Sequence, residues 1–279
     1  MQVRNLIVAF ITLLLTQIFI SGCALERRTT YPAPRIKVIS PPPPPLEEIT
    51  LKYSSGQKIS GLFSETTPSN DSTPVLLYLH GNGENLQTML SAKLFGELAG
   101  LRIHFLAIDY PGYGNSTGIP SEKSLVEAAD SAFNWISRNF QLNPKFLCGW
   151  SMGAAVAAQT ALKHQALIDG VILINGWTVL DSVIANRYPK WMVDKLLSDH
   201  FNTLSIIPSI EVPALIMSGE FDRIVPSNHG KTLAASSPQL KRWVLVKGCG
   251  HNDVLLNRRV WQEIQVFLEN PEIDWTKRE

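Results

Sequence analysis

Apolar and polar positions follow two different periods along the chain from residue 47 onward. Residues 49–53 and 58–63 alternate at every second position around Ser55-Gly56, which predicts a β-hairpin. Later stretches are mostly apolar, and residues 75–79 are continuously so, as in strands buried on both faces of a sheet. These predicted strands are residues 75–79, 103–108, 145–148, 171–174, 214–217 and 243–246.

Amphipathic stretches with helical spacing separate most of the predicted strands. They are residues 86–99, 124–136, 152–164 and 254–268. Strands that alternate with helices predict βαβ units and a mostly parallel sheet with right-handed crossovers. Because function in such sheets collects at the C-terminal ends of the strands, every candidate site residue should follow a strand.

The first 46 residues have a different character. Arg4 is the only charge before the apolar stretch 6–20, and small residues follow, which predicts a signal peptide over residues 1–22. The ending Ile20-Ser21-Gly22-Cys23 resembles the lipobox of bacterial lipoproteins. That resemblance implies lipid attachment at Cys23 and, with Ala24 next to it, a location in the cell envelope on the periplasmic side of the outer membrane rather than at the inner membrane.

Two alternatives to the lipobox are a plain signal peptide and an uncleaved anchor helix, although about 20 apolar residues are needed to span a bilayer comfortably.

Residues 23–46 then form a proline-rich linker. Proline runs adopt an extended helix of about 3.1 Å per residue, so this linker could reach about 70 Å. We expect it to be a spacer that holds a single domain, residues 47–279, off the membrane.

The segment Gly149-Trp150-Ser151-Met152-Gly153 lies between a predicted strand and a predicted helix. In this context a serine is lifted above the end of a sheet in a strained turn, with glycines on both sides because side chains there would clash. The helix that begins at Met152 directs its positive end at the same point. Ser151 is therefore the candidate nucleophile.

Two residues later in the chain are candidates to assist the serine. His251 follows the last predicted strand in a glycine-rich segment, which leaves its imidazole free to act as general base. Asp222 follows the strand before that and would orient the histidine and stabilise its cationic form. Glu220 is the local alternative acid, whereas Asp253 is expected to point along the following helix, away from the imidazole.

An oxyanion hole requires two hydrogen-bond donors aimed at the developing charge. The backbone N–H of Met152, directly after the candidate nucleophile, is one candidate. The other should come from the loop after residues 75–79, where the backbone N–H of Asn82 is the candidate. Since only that backbone group is required, substitution of the Asn82 side chain is expected to change little.

Five segments together resemble the α/β-hydrolase superfamily. They are His80-Gly81-Asn82, residues 109–116, residues 149–153, Gly219-Glu220-Phe221-Asp222 and Gly250-His251. The resemblance covers about residues 47–270 and extends to branches that contain protein depalmitoylases and serine aminopeptidase-like hydrolases. It implies the α/β-hydrolase fold, with a mostly parallel eight-stranded sheet, helices on both faces and a short helical cap at about residues 177–207.

The same resemblance implies a serine-hydrolase mechanism with an acyl-enzyme on Ser151, but it does not fix the substrate. We expect cleavage of an ester or thioester of a small-molecule or acyl substrate. Amide or peptide hydrolysis is the alternative chemistry, and a non-catalytic membrane-tethered binding module is the alternative from another class. We expect a monomer without a cofactor, because no metal-ligand or phosphate-loop spacing occurs. The formal net charge of +1 gives no electrostatic reason for a nucleic-acid partner.

Three smaller features complete the predictions. Apolar cap residues either line an acyl pocket or pack on the core; they are Val183, Ile184, Trp191, Met192, Val193, Leu196 and Leu197. Tyr110 and Tyr113 either contact substrate or shape their glycine- and proline-rich loop, and the composition of the loop favours the structural role. The strand order implied by the resemblance separates Cys148 from Cys249, so both are expected to be free thiols.

Overall fold

A computed structural model describes residues 30–37, 42–43, 45–53, 56–186 and 188–273. Cys23 and the predicted signal peptide lie outside the described residues, as does most of the predicted linker. Among the described residues, no helix combines the length and the apolar character needed to cross a membrane.

An eight-stranded sheet carries the fold, as the resemblance implies. Its strands are β1 (Glu47–Tyr53), β2 (Gln57–Ser64), β3 (Val75–Leu79), β4 (His104–Ile108), β5 (Lys145–Trp150), β6 (Gly170–Ile174), β7 (Ala214–Gly219) and β8 (Leu240–Val246). The spatial order is β1-β2-β4-β3-β5-β6-β7-β8. Strand β2 is antiparallel to β1 and β4, and all other pairs are parallel.

Both faces of the sheet are buried because successive side chains point to opposite sides. In β3, Leu77 and Leu79 belong to one apolar cluster, whereas Leu76 and Tyr78 belong to another. The helices cover these two faces. They are α1 (Leu86–Ser91), α2 (Leu94–Gly100), α3 (Glu122–Asn139), α4 (Met152–His164), α5 (Leu180–Ile184), α6 (Lys190–Leu196), α7 (Thr203–Ile206), α8 (Asn228–Ser236) and α9 (Arg258–Glu269).

Three helices differ from the periodicity-based prediction. The single helix predicted over residues 86–99 is broken between α1 and α2, where Lys93 adopts a left-handed backbone with φ of 61°. The closing helix begins only at Arg258, after a 3₁₀ turn at Val254–Leu256. Helix α8 was not predicted because its first residues are polar, although Leu233 and Ala234 on it are buried.

Part of the predicted spacer is docked on the domain, so the linker prediction is wrong for these residues. We name residues 30–37 the strap. Tyr31 in the strap is only 4% exposed and donates a hydrogen bond through its hydroxyl to Asp199 Oδ2 at 2.7 Å. Its ring also packs edge-on against Phe201. An isolated tyrosine in a proline-rich stretch carries no periodic signal, and its partners lie far away in the sequence.

The two cysteines of the domain are free and buried, which confirms that prediction. Cys148 lies on β5 and Cys249 follows β8, and β6 and β7 separate the two strands. Burial raises the pKa of the Cys148 thiol well above its ordinary value, so this side chain is an inert part of the core.

Candidate active site

Ser151 occupies the tight turn between β5 and α4. Its backbone has a φ of 56°, a left-handed conformation that a residue other than glycine adopts only when its surroundings enforce it. The backbone N–H of Ser151 donates to the carbonyl of Ile174 at the end of β6, at 2.8 Å. This turn places the serine at the C-terminal edge of the sheet, as the sequence predicts.

The two glycines that flank Ser151 are required by close approach of the backbone. A Cβ atom on Gly149 would lie 2.0 Å from the carbonyl oxygen of Gly153, and one on Gly153 would lie 1.9 Å from the carbonyl oxygen of Leu79. Both neighbours are backbone atoms that cannot rotate away. The glycines therefore allow α4 to pack directly against the ends of β5 and β3.

A continuous hydrogen-bond chain joins the three predicted site residues. Ser151 Oγ donates to His251 Nε2 at 2.9 Å, and His251 Nδ1 donates to Asp222 Oδ2 at 2.7 Å. The carboxylate acceptor on one side of the ring makes the other ring nitrogen the acceptor that faces the serine. All three side chains are buried, although they come from three separate loops.

The carboxylate that is hydrogen-bonded to His251 belongs to Asp222, whereas Glu220 and Asp253 have other partners. Asp222 Oδ1 accepts hydrogen bonds from the backbone N–H groups of Ile224 and Val225, which leaves Oδ2 for His251. Glu220 instead accepts from the backbone of Gly248. Asp253 accepts from the backbone of Gly250, so it stabilises the histidine loop rather than the imidazole.

Asn82 faces the same cavity as Ser151, on the loop that follows β3. Its side chain makes two contacts: Nδ2 donates to the carbonyl of Thr30 in the strap at 2.6 Å, and Oδ1 accepts from the Tyr113 hydroxyl at 2.8 Å. The side chain thus holds the loop against the strap and Tyr113. Tyr110 donates to the carbonyl of His80 and is fully buried, so both tyrosines have structural roles.

Comparison with known proteins agrees with this geometry. Residues 74–207 match the α/β hydrolase fold family. The protein Rv2307c of Mycobacterium tuberculosis is 31% identical over an alignment of 271 residues that covers 94% of each chain. The chain belongs to the α/β-hydrolase superfamily.

Other members of the superfamily are similar at lower identity. The α/β hydrolase domain-containing protein 17B of Xenopus laevis is 28% identical over 225 residues, 80% of this chain and 75% of the relative. The solved structure of the Pyrococcus furiosus esterase Pf2001 superposes with a TM-score of 0.68 at 18% identity and covers 85% of this chain and 98% of the esterase. The esterase similarity shows a shared fold.

Asn175 is a site residue that sequence reasoning missed. It follows β6 with a φ of 49° and is buried. Its Nδ2 donates to the carbonyl of His251 at 3.1 Å, and its Oδ1 accepts from the N–H of Gly219 at 2.9 Å. Asn175 therefore ties the loop that carries the histidine to the end of β7. An asparagine directly before Gly176 at a strand end was the only available signal.

The cavity in front of Ser151 has a volume of about 580 Å³ and a largely apolar wall on the cap side. Of the described residues, the cap contributes Trp177, Leu180, Val183, Ile184 and Tyr188 to this wall. The cap side of the cavity is thus formed by α5 with one aromatic residue before it and one after it. Trp191 on α6 is instead 65% exposed, whereas Val193 and Leu197 pack on the core. The side chain of Leu196 lies outside what the structure describes.

Several ionisable groups close to the site are perturbed by burial. Burial raises the pKa of Glu84, which lines the cavity, to about 7, although a hydrogen bond from the Gly81 N–H opposes this shift. Burial also lowers the pKa of His80 to about 4 and raises the pKa of Asp109 to about 6. Asp109 Oδ1 accepts a hydrogen bond from the backbone N–H of Leu86. Asp109 therefore stabilises the start of α1. Within the described ranges, no cluster of three potential metal ligands occurs.

Proposed function

We propose that this protein is a serine hydrolase that cleaves an acyl ester or thioester through a covalent acyl-enzyme on Ser151. The observation that carries the proposal is the hydrogen-bond chain from Ser151 through His251 to Asp222, with contacts of 2.9 and 2.7 Å. A nucleophile, a base and a group that orients the base, each within hydrogen-bond distance of the next, are the signature of an activated serine.

In the first half-reaction, Ser151 Oγ attacks the substrate carbonyl while His251 Nε2 takes the hydroxyl proton. Asp222 stabilises the imidazolium that forms, and its orientation is held by the N–H groups of Ile224 and Val225. His251 then gives the proton to the leaving group. In the second half-reaction, His251 activates a water that attacks the acyl-enzyme carbonyl and releases the acid.

The charge on the tetrahedral intermediate requires donors that are already in place. We assign this role to the backbone N–H groups of Met152 and Asn82. Met152 is the first residue of α4, so its N–H has no acceptor within the helix. Asn82 is held in position through its side chain by the strap and Tyr113. The loss of one such donor typically lowers kcat by about 10²–10³-fold.

We also propose that the protein is a lipoprotein, with residues 1–22 removed and Cys23 carrying the lipid. The lipobox-like ending of the apolar stretch supports this proposal. Metabolic labelling with palmitate tests it directly: the wild-type chain should incorporate label and Cys23→Ser should not. Incorporation into the Cys23→Ser chain would show that the anchor is elsewhere.

Labelling with a fluorophosphonate probe tests the enzyme proposal. The soluble form should begin at residue 24, because a form that begins at residue 46 lacks the strap that contacts Asn82. We expect the wild-type protein and Ser209→Ala, a surface control, to label, and Ser151→Ala not to label. Equal labelling of the wild type and Ser151→Ala, or no labelling of either, would favour a non-catalytic binding module. A panel of p-nitrophenyl esters, thioesters and aminoacyl amides would then identify the preferred bond.

A further inference from the structure

The N-terminal end of the strap lies at the mouth of the catalytic cavity. Thr30 lines the cavity, and its carbonyl accepts the hydrogen bond from Asn82 Nδ2. The next residue, Tyr31, is buried against Phe201 and bonded to Asp199. The point at which the chain reaches the described domain therefore lies at the cavity that also contains Ser151.

The remainder of the strap is held at its other end as well. Asn85 Nδ2 donates to the carbonyls of Pro34 and Ile36, each at 2.8 Å, and the N–H of Gly114 donates to the carbonyl of Pro34 at 2.9 Å. Because Asn85 is fully buried, these contacts are shielded from water. Because the strap is docked, the free tether between the proposed lipid on Cys23 and the domain ends at Thr30 and does not extend to β1.

The short distance along the chain limits how far the cavity can lie from the membrane. Only residues 24–29 separate Cys23 from Thr30. Seven fully extended Cα–Cα steps span about 25 Å. A domain of about 230 residues has a radius of gyration of about 17 Å and hence a diameter of about 45 Å. The anchor therefore cannot reach a bilayer that faces the opposite side of the domain.

The cap carries two exposed aromatic residues, one of which lines the cavity. Tyr188 lines the cavity and is 42% exposed, and Trp191 on α6 is 65% exposed. Large aromatic rings with a polar atom are favourable at the boundary between lipid headgroups and acyl chains. The cap side of the cavity is also apolar, with Leu180 and Ile184 in its wall. This surface suits a lipid bilayer better than open water.

We propose that the docked strap makes the lipid anchor a short tether that turns the cavity mouth toward the bilayer, and that the substrate is an acyl ester of a bilayer lipid. This proposal rests on the serine hydrolase and on lipidation at Cys23. The seated strap places the nucleophile near the acyl chains of the leaflet that holds the anchor. The remaining Pro-rich residues then connect the strap to β1 and do not set the distance from the membrane.

Insertions on the two sides of the strap provide the test. Lipidated full-length protein is reconstituted in phosphatidylethanolamine and phosphatidylglycerol vesicles that carry a fluorogenic phospholipid acyl ester. A 20-residue Gly-Ser segment is inserted either between residues 26 and 27 or, as matched control, between residues 39 and 40. Effective concentration falls with about the −3/2 power of tether length, so lengthening the tether from about 7 to about 27 Cα–Cα steps should lower vesicle turnover about eightfold.

The control insertion should leave vesicle turnover unchanged, and both insertions should leave hydrolysis of dissolved p-nitrophenyl butyrate unchanged. Equal turnover by the two insertion variants would overturn the proposal, because the strap would not then set the tether length. Cleavage of p-nitrophenyl butyrate without cleavage of the vesicle ester would also overturn it. A complete lack of Ser151-dependent hydrolysis of both substrates would instead refute the serine hydrolase itself.

Discussion

Asn175 offers a sharp test of how the site is held together. Its side chain bridges the His251 carbonyl and the Gly219 N–H, and it is 1% exposed. In Asn175→Ala the His251 carbonyl and the Gly219 N–H are left buried without this hydrogen-bond partner. Each lost partner lowers the free energy of unfolding by about 1–3 kcal/mol. Alanine at the observed φ of 49° adds about 1–2 kcal/mol of backbone strain. The sum is a loss of about 3–8 kcal/mol in the free energy of unfolding.

A loss of this size is comparable with the whole stability of a domain, so two milder variants are needed. Asn175→Gly removes both hydrogen bonds without the strain and should be more stable than Asn175→Ala by about 1–2 kcal/mol. Asn175→Asp keeps the acceptor for Gly219 and tolerates the backbone conformation, but it places a second acceptor against the His251 carbonyl. Both should remain folded well enough for kinetic measurement at low temperature.

The expected kinetic effect follows from the position of the imidazole. With its loop released, His251 no longer stays within hydrogen-bond distance of Ser151, and a displacement of about 1 Å can cost about 10²-fold in rate. We expect kcat to fall by that order in Asn175→Gly and Asn175→Asp, with KM nearly unchanged. The measurements are urea denaturation and steady-state hydrolysis of a p-nitrophenyl ester.

Asn202→Ala is the matched control for this series. Its side chain caps α7 at the surface by accepting from the Ser205 N–H, so its removal should cost about 1 kcal/mol and leave kcat unaltered. If Asn175→Gly kept the wild-type kcat while its stability fell, the bridge would stabilise the fold without positioning the base. That result would refute a role for Asn175 in holding His251 against the serine.

Three further predictions concern the turn, the cavity wall and pH. Gly153→Ala should lose at least about 3 kcal/mol of stability in thermal unfolding, because its Cβ would meet the Leu79 carbonyl at 1.9 Å; Gly96→Ala, with open space around it, is the tolerated control. Ile184→Ala should shift ester preference toward longer acyl chains by about fourfold per methylene, and Trp191→Ala should not; equal shifts would contradict the assigned wall. Since burial raises the pKa of Glu84 from 4.5 to about 7, the native state holds its proton longer, so stability should fall as pH rises across that window. In urea denaturation, Glu84→Gln should reduce the fall in the free energy of unfolding between pH 5 and pH 8 by up to about 3 kcal/mol. An unchanged pH dependence would contradict the raised pKa of Glu84.

The sheet and the order of the site residues were predictable because their causes are local. A parallel strand buried on both faces is largely apolar, so residues 75–79 and 171–174 are evident as strands in the sequence. The turn at Ser151 needs glycine at two fixed positions because the backbones approach within contact distance there. Such requirements are met by adjacent residues, and they are therefore visible without the fold.

The features that escaped prediction depend on partners distant in the sequence. Asn175 bridges Gly219 and His251, and neither contact has a periodic signature. Tyr31 binds Asp199 from a proline-rich stretch whose composition alone indicates a spacer. The cap helices show the same limit, since either of their apolar faces could have lined the cavity.

The residues of the candidate site were thus predictable largely from the sequence, because the turn at Ser151 and the loops after the strands carry short-range signals. The docked position of the strap beside the cavity, by contrast, was decided only by the tertiary structure. The strap is docked by the buried side chain of Tyr31 and by hydrogen bonds that Asn82 and Asn85 donate to its backbone carbonyls. Backbone carbonyls are the same in every sequence, so only the folded domain specifies which of them find a partner.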